Sequence, residues 1–106
     1  MKKREFHGMA RTRLYYVWRD MRRRCYSSKQ ISYPWYGGKG IRVCHEWFIS
    51  FLAFWGWALS NGYADDLTID RKDATKDYDP ENCRWLTKQE NKANSKLIRS
   101  GGSACQ

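Results

Sequence analysis

Two short β-prone pieces, Leu67-Thr68-Ile69-Asp70 and Cys83-Arg84-Trp85-Leu86, flank a polar loop that contains Pro80. Branched and aromatic residues favour the extended chain, and acidic residues beside a Pro are turn chemistry. Directly behind the second piece stands Thr87-Lys88-Gln89-Glu90, the S/T-x-x-E signature of a helix start. The Thr87 hydroxyl can accept the amide of Glu90 while the Glu90 carboxylate reaches back to the amide of Thr87. Residues 67–94 therefore read strand, long polar turn, strand, helix.

Charge is the next bound. The 106 residues carry a formal net charge of +9, most of it near the start of the chain. Residues 1–29 hold ten Lys/Arg against Glu5 and Asp20, whereas residues 30–66 sum to −1 and residues 67–106 to +2. Such asymmetry points to a polyanionic partner, nucleic acid or an anionic membrane. No apolar run approaches a membrane span, and the N-terminus lacks the apolar core of a signal peptide, so a cytoplasmic protein is expected. Cys25, Cys44, Cys83 and Cys105 lack paired CxxC spacing, which fits reduced thiols in that compartment.

Along the chain, residues 1–10 read as a basic arm, residues 11–99 as one α+β domain and residues 100–106 as a disordered tail. Thr12 caps an amphipathic helix to Cys25, with Leu14, Val17, Trp18, Met21 and Cys25 as its apolar stripe. Tyr16, Arg19 and Arg23 fall opposite that stripe, Arg13 and Arg24 on one flank and Arg22 on the other. Only Asp20 offsets six arginines between Arg11 and Arg24, a sign bias that favours phosphate contact over an ordinary solvated face. Tyr26 to Tyr36 reads as a loop. Gly37-Gly38-Lys39-Gly40 is a turn leading into a short strand at Ile41 to Cys44, and it lacks the spacing of a Walker loop. Ser50 caps a second, aromatic helix from Phe51 to about Ser60, which Asn61-Gly62 stops. Phe51, Phe54, Trp55 and Ala58 share its core face, and the two-residue offset of Trp55 and Trp57 leaves one of them partly exposed.

The order Tyr36-Gly37-Gly38, Val43-Cys44, Glu46-Trp47, Trp57-Ala58, Gly62-Tyr63 and then Leu67 to Asn94 resembles a known family over residues 13–94. It is similar to small phage-borne proteins described as HNH endonucleases or as carrying a plant ethylene-response-factor-like DNA-binding domain. The resemblance implies a ββα core in which Asp70 ends the first strand, Asn82 braces the strands, and Asn91 on the helix completes a metal site with Asp70. Oxygen ligands of that kind suit magnesium or manganese. The family's general base is His, and this chain has Arg71 there. A guanidinium stays protonated and cannot take a proton from water. His45 follows Cys44 outside the ββα segment, so its imidazole could approach the site only through tertiary folding. A zinc set of Cys25, Cys44, Cys83 and His45 is disfavoured, because structural zinc normally shows at least one close ligand pair.

The fold expected is α+β, with a small antiparallel sheet in a ββα core, an N-terminal basic helix and a central aromatic helix. The expected function is DNA binding through Arg19, Arg22, Arg23, Lys39, Arg42, Arg71, Arg84 and Lys88, with no membrane and no certain cofactor. If about six of these groups meet phosphates, log affinity falls with log salt at a slope near −5. One alternative is a metal-dependent HNH-type endonuclease using Asp70, Asn82, Asn91 and His45. The other is a phage inhibitor docking on an acidic host protein.

Overall fold

The computed structural model describes residues 12–93. The basic arm expected over residues 1–10 and the tail expected over 100–106 lie outside the described residues. The chain is α+β, several helices with one two-stranded antiparallel sheet. Its first helix, α1 (Arg13–Tyr26), starts where Thr12 accepts the Tyr15 amide at 3.2 Å. Leu14, Trp18, Met21 and Cys25 are buried along one stripe, as the three- and four-residue spacing requires.

Two single-turn 3-10 helices follow, Tyr33–Trp35 and Gly37–Lys39. The first corrects the expected loop. Pro34 sits in its opening turn, where a missing N–H costs nothing. The second ends at Gly40, whose φ of 88° lies in the left-handed region. Gly37 is required for a different reason: a Cβ there would run into the Cys25 carbonyl and the Tyr33 ring. This turn is pressed against the end of α1.

The strand expected at Ile41 to Cys44 is reduced to one parallel bridge, Val43 to Tyr78. Tyr78 N–H donates to the Arg42 carbonyl and Cys44 N–H to the Tyr78 carbonyl, both at 2.9 Å. The next rung would need an N–H from residue 80, which is Pro80, so the ladder stops. Cys44 instead opens a short helix that the sequence reading did not anticipate, α2 (His45–Ile49), which leads through Ser50 into α3 (Phe51–Ser60). The Ser50 hydroxyl accepts the Ala53 amide at 3.1 Å, and Gly62 takes a φ of 86° just beyond the helix.

Strand β1 (Leu67–Arg71) pairs with β2 (Cys83–Thr87) in the register Leu67 to Thr87, Ile69 to Trp85 and Arg71 to Cys83. Ile69 and Trp85 pack on the core, and alternation sends the Asp70–Arg84 pair to the other face. A last helix, α4, begins at residue 88. Its capping box is formed: Thr87 N–H donates to Glu90 Oε1 at 2.8 Å and Glu90 N–H to Thr87 Oγ1 at 3.1 Å.

The core is aromatic. Trp47, Phe51 and Phe54 are fully buried with Leu14, Met21 and Cys25. Full burial of such side chains stabilises by roughly 1.5–3 kcal/mol each, which is how a small domain gathers enough apolar area. Trp18 Nε1–H donates to the Trp47 carbonyl at 2.6 Å, locking α1 to α2. Trp55 and Trp57 are both half-buried, because Trp55 packs on Phe51 and Trp57 on Trp47 and Trp85, at the two edges of one stripe. No helix among the described residues is long and apolar enough to cross a membrane.

Candidate nucleic-acid interface

Because the core stripe occupies one side of α1, the remaining positions fall on two flanks. Arg13, Val17, Asp20 and Arg24, three and four residues apart, face a cleft of about 770 Å³. Its other walls are the Trp35–Lys39 turns, β1 from Thr68 to Arg71, Tyr78 and Asn91. Arg19, Arg22, Arg23 and Tyr26 lie on the other flank, where with Phe48 they form a shallow groove. The cations expected to share one basic face are therefore divided: Lys39 and Arg71 belong to the cleft, while Arg19, Arg22 and Arg23 belong to the groove.

In the cleft, Tyr78 is the hub. Its ring is 3% exposed and stacks on Tyr36 at 6.2 Å with planes 20° apart. Arg24 donates to the Tyr78 hydroxyl through Nε at 3.3 Å and Nη2 at 3.2 Å. The Arg24 and Arg71 guanidinium carbons both lie within 5.0–5.7 Å of the two ring centroids. Burial works to lower the Arg24 pKa, but its interactions with Tyr78, Tyr36 and Cys25, the Tyr78 hydroxyl foremost, outweigh burial and the net shift is upward. The guanidinium keeps its charge. Burial pushes Tyr78 the other way, up to about 12, so its hydroxyl stays protonated at neutral pH.

Arg71 occupies the position where the resemblance places a His base. Nη1 donates to the Ala74 carbonyl at 2.6 Å and to the Lys76 carbonyl at 2.8 Å, so the side chain struts the β1–β2 loop. Asn82 holds the same loop from within. It is 8% exposed, donates to the Asp73 and Asp77 carbonyls, and accepts the Asp73 amide. Its donors are spent on the backbone. Asp70 bonds Arg84 Nε at 2.9 Å with its own side chain 12% exposed, so each partner expected at DNA or metal is engaged with the other. Asn91 Nδ2 donates to Thr68 Oγ1 at 2.7 Å and to the Ile69 carbonyl at 3.3 Å, tying α4 to β1. Asp70 and Asn91 both line the cleft; His45 is exposed at the start of α2 and does not line it.

The fit for a divalent ion is poor. Among the described residues, no group of three or more His, Cys, Asp or Glu side chains is placed to hold one. Asp70 already bears an arginine, and the Arg71 guanidinium on the cleft wall adds a like charge beside any cation. The zinc set is not gathered either, since Cys25, Cys44, Cys83 and His45 form no such group of three among the described residues.

On the groove flank the guanidiniums rest on rings. Arg22 lies 4.4 Å from the Trp18 centroid and 4.8 Å from Phe48, Arg19 lies 4.7 Å from Tyr16, and Arg42 lies 5.9 Å from Tyr26. Arg22 Nε is buried there without a hydrogen-bond partner. Arg19 bonds Asp20 at 3.2 Å, an exposed pair of small energetic weight. Arg22, Arg23 and Arg42 make no ion pair among the described residues. Lys88 is exposed at the first turn of α4.

Sequence reasoning missed Trp35, Tyr36, Tyr78 and the inward turn of Arg24. A signal was present in Tyr78, a lone aromatic ring between Asp77 and Asp79 in an otherwise polar loop. Compared with known proteins, the chain matches no family model, no curated protein and no solved structure.

Proposed function

We propose that the chain is a DNA-binding protein that grips the phosphate backbone of a duplex along the groove flank of α1. The carrying observation is that the guanidiniums of Arg22, Arg23 and Arg42 are in no ion pair among the described residues, although the Arg42 backbone amide donates to Asp77 at 2.9 Å, and that Arg22 and Arg42 lie against rings. Ring support limits the rotamer freedom lost on binding and leaves the guanidinium edges for phosphate oxygens. Arg19 joins them when phosphate competes for it with Asp20, and Lys88 adds an exposed charge at the first turn of α4. The strand–loop–strand–helix order, the loop brace at Asn82 and the capping box at Thr87 support reading residues 67–93 as an HNH-like ββα scaffold of phage type. In this reading the scaffold has lost hydrolysis and kept affinity.

Gel retardation of a duplex across a salt series tests this. Affinity should fall with salt, and Arg23→Ala should weaken binding for all sequences alike while lowering the slope by about 1. Salt-sensitive binding to an acidic protein with none to DNA would overturn it in favour of an inhibitor.

A second reading, a metal-dependent HNH-type endonuclease, is favoured by one observation, the presence of Asp70 and Asn91 in the same cleft. The donor set does not fit a divalent ion, and Arg71 cannot serve as the base. Supercoiled plasmid with magnesium or manganese should therefore be retarded and not nicked. Nicking lost in Asp70→Ala would reverse the order of the two readings.

A further inference from the structure

We infer that the cleft on the other flank of α1 is a separate site that receives an unpaired nucleotide, its base stacked on Trp35 and its phosphate met by Lys39 and Arg13. This site uses other residues than the proposed duplex contact and does not rest on it.

Charge comes first. Arg13, Arg24, Lys39 and Arg71 line the cleft against two carboxylates, Asp20 and Asp70. Both carboxylates are paired with arginines that do not line it, Arg19 and Arg84. The walls are thus left with uncompensated positive charge, and they select an anion. Rigidity comes second. Arg24 and Arg71 are fixed by the Tyr36–Tyr78 stack and by loop carbonyls, so they set a positive field without having to move. Lys39 is exposed on the opposite rim, and Arg13, which donates to the Tyr63 hydroxyl at 3.1 Å, keeps its remaining N–H groups for a ligand.

The flat ring decides the class of anion. All six Trp residues lie among the described ones, and Trp35 alone is exposed, at 61%. The others pack in the core or against it. Trp35 projects from a 3-10 turn tied by its own amide to the Ser32 carbonyl at 3.0 Å, so it is a bare indole on a fixed support at the edge of a cationic cleft. Inorganic phosphate or a bare carboxylate would leave that ring unused. A nucleotide uses both features, since every base has a π-face to stack. A volume of about 770 Å³ lies within the range of small-ligand sites, roughly 300–1,000 Å³. A base held in a duplex cannot present its face, so the ligand is unpaired.

The test is fluorescence anisotropy of the full chain with a labelled single-stranded oligodeoxynucleotide and, separately, with a labelled duplex. Trp35→Ala should weaken single-strand binding about tenfold, the range for loss of one base–aromatic stack, and leave duplex binding within about twofold. Trp35→Phe should restore most of the single-strand affinity. Because Trp35 is exposed, unchanged circular dichroism is expected and separates lost stacking from lost fold. A deoxynucleoside monophosphate that displaces the oligonucleotide where equal inorganic phosphate does not would support a site filled by one nucleotide, free or within a strand. Equal displacement by phosphate would overturn the stacking role, as would single-strand binding untouched by Trp35→Ala. Loss of duplex binding in Arg23→Ala with the Trp35 effect intact would separate the two sites, whichever of the two readings fails.

Discussion

The two flanks of α1 are built from the same residue type and behave as opposites. On the cleft side Arg24 points inward, bonded to a tyrosine hydroxyl and laid against two rings that belong to distant parts of the chain. On the groove side Arg23 is exposed with no ion pair, and Arg22 is propped on Trp18 and Phe48. A count of positive charges treats the three alike. What separates them is the partner each meets after folding: the Arg24 guanidinium is held by a hydroxyl and two rings, while Arg23 stays exposed outside any ion pair of the described residues.

Removing the hub should break the comparison most severely. Tyr78→Ala deletes a buried ring and orphans Arg24, and should cost about 3–5 kcal/mol in denaturant unfolding. Asn82→Ala comes next. It removes three bonds to the β1–β2 loop and leaves buried loop groups unpaired, at a cost of about 2–3 kcal/mol by the same measurement. Arg23→Ala should do the reverse of both, changing stability by under about 0.5 kcal/mol while weakening duplex binding. An Arg23→Ala variant as unstable as Asn82→Ala would show that the flanks do not differ in kind.

Alkaline titration sharpens the contrast. Tyr78 is raised from 10.0 to about 12 and Cys83 from 9.0 to about 12, both by burial. A group whose folded pKa is raised holds its proton in the folded chain after the unfolded chain has lost it. Its stabilising contribution is therefore complete below pH 9 to 10 and is lost as pH rises towards 12. Melting temperature should be insensitive to these groups near neutrality and decline above about pH 9, with a shallower decline in Tyr78→Phe. A decline that begins on the acid side of neutrality would point to carboxylates instead. Asp70→Asn should have little effect on either measurement, because it only loosens the ion pair to Arg84. It should cost under about 1 kcal/mol by denaturant unfolding and leave duplex binding unchanged.

Much of the fold was legible because its signals are local. Thr12, Ser50 and Thr87 each cap a helix through an amide three residues on, so the donor and acceptor are adjacent in the sequence. Period-two alternation sends Trp85 and Arg84 to opposite faces, and in the structure Trp85 packs on the core while Arg84 is exposed. That the strand expected at Ile41 to Cys44 shrinks to a single bridge was not legible, since its partner is Tyr78 and its end is decided by Pro80. Nor was α2, a single short helix whose Trp47 is buried only because α1 and α3 close over it.

By itself the chain determines where α1, α3, α4 and the two paired strands start, that its core is aromatic and that its first helix carries unbalanced positive charge. Tertiary structure alone decides which of those charges remain available. Arg24 and Tyr78 stand 54 positions apart, and no periodicity within either segment encodes their meeting. The physical reason is range: capping and alternation are settled within a few residues, whereas the freedom of a guanidinium depends on which hydroxyl, ring or carboxylate a distant segment delivers to it.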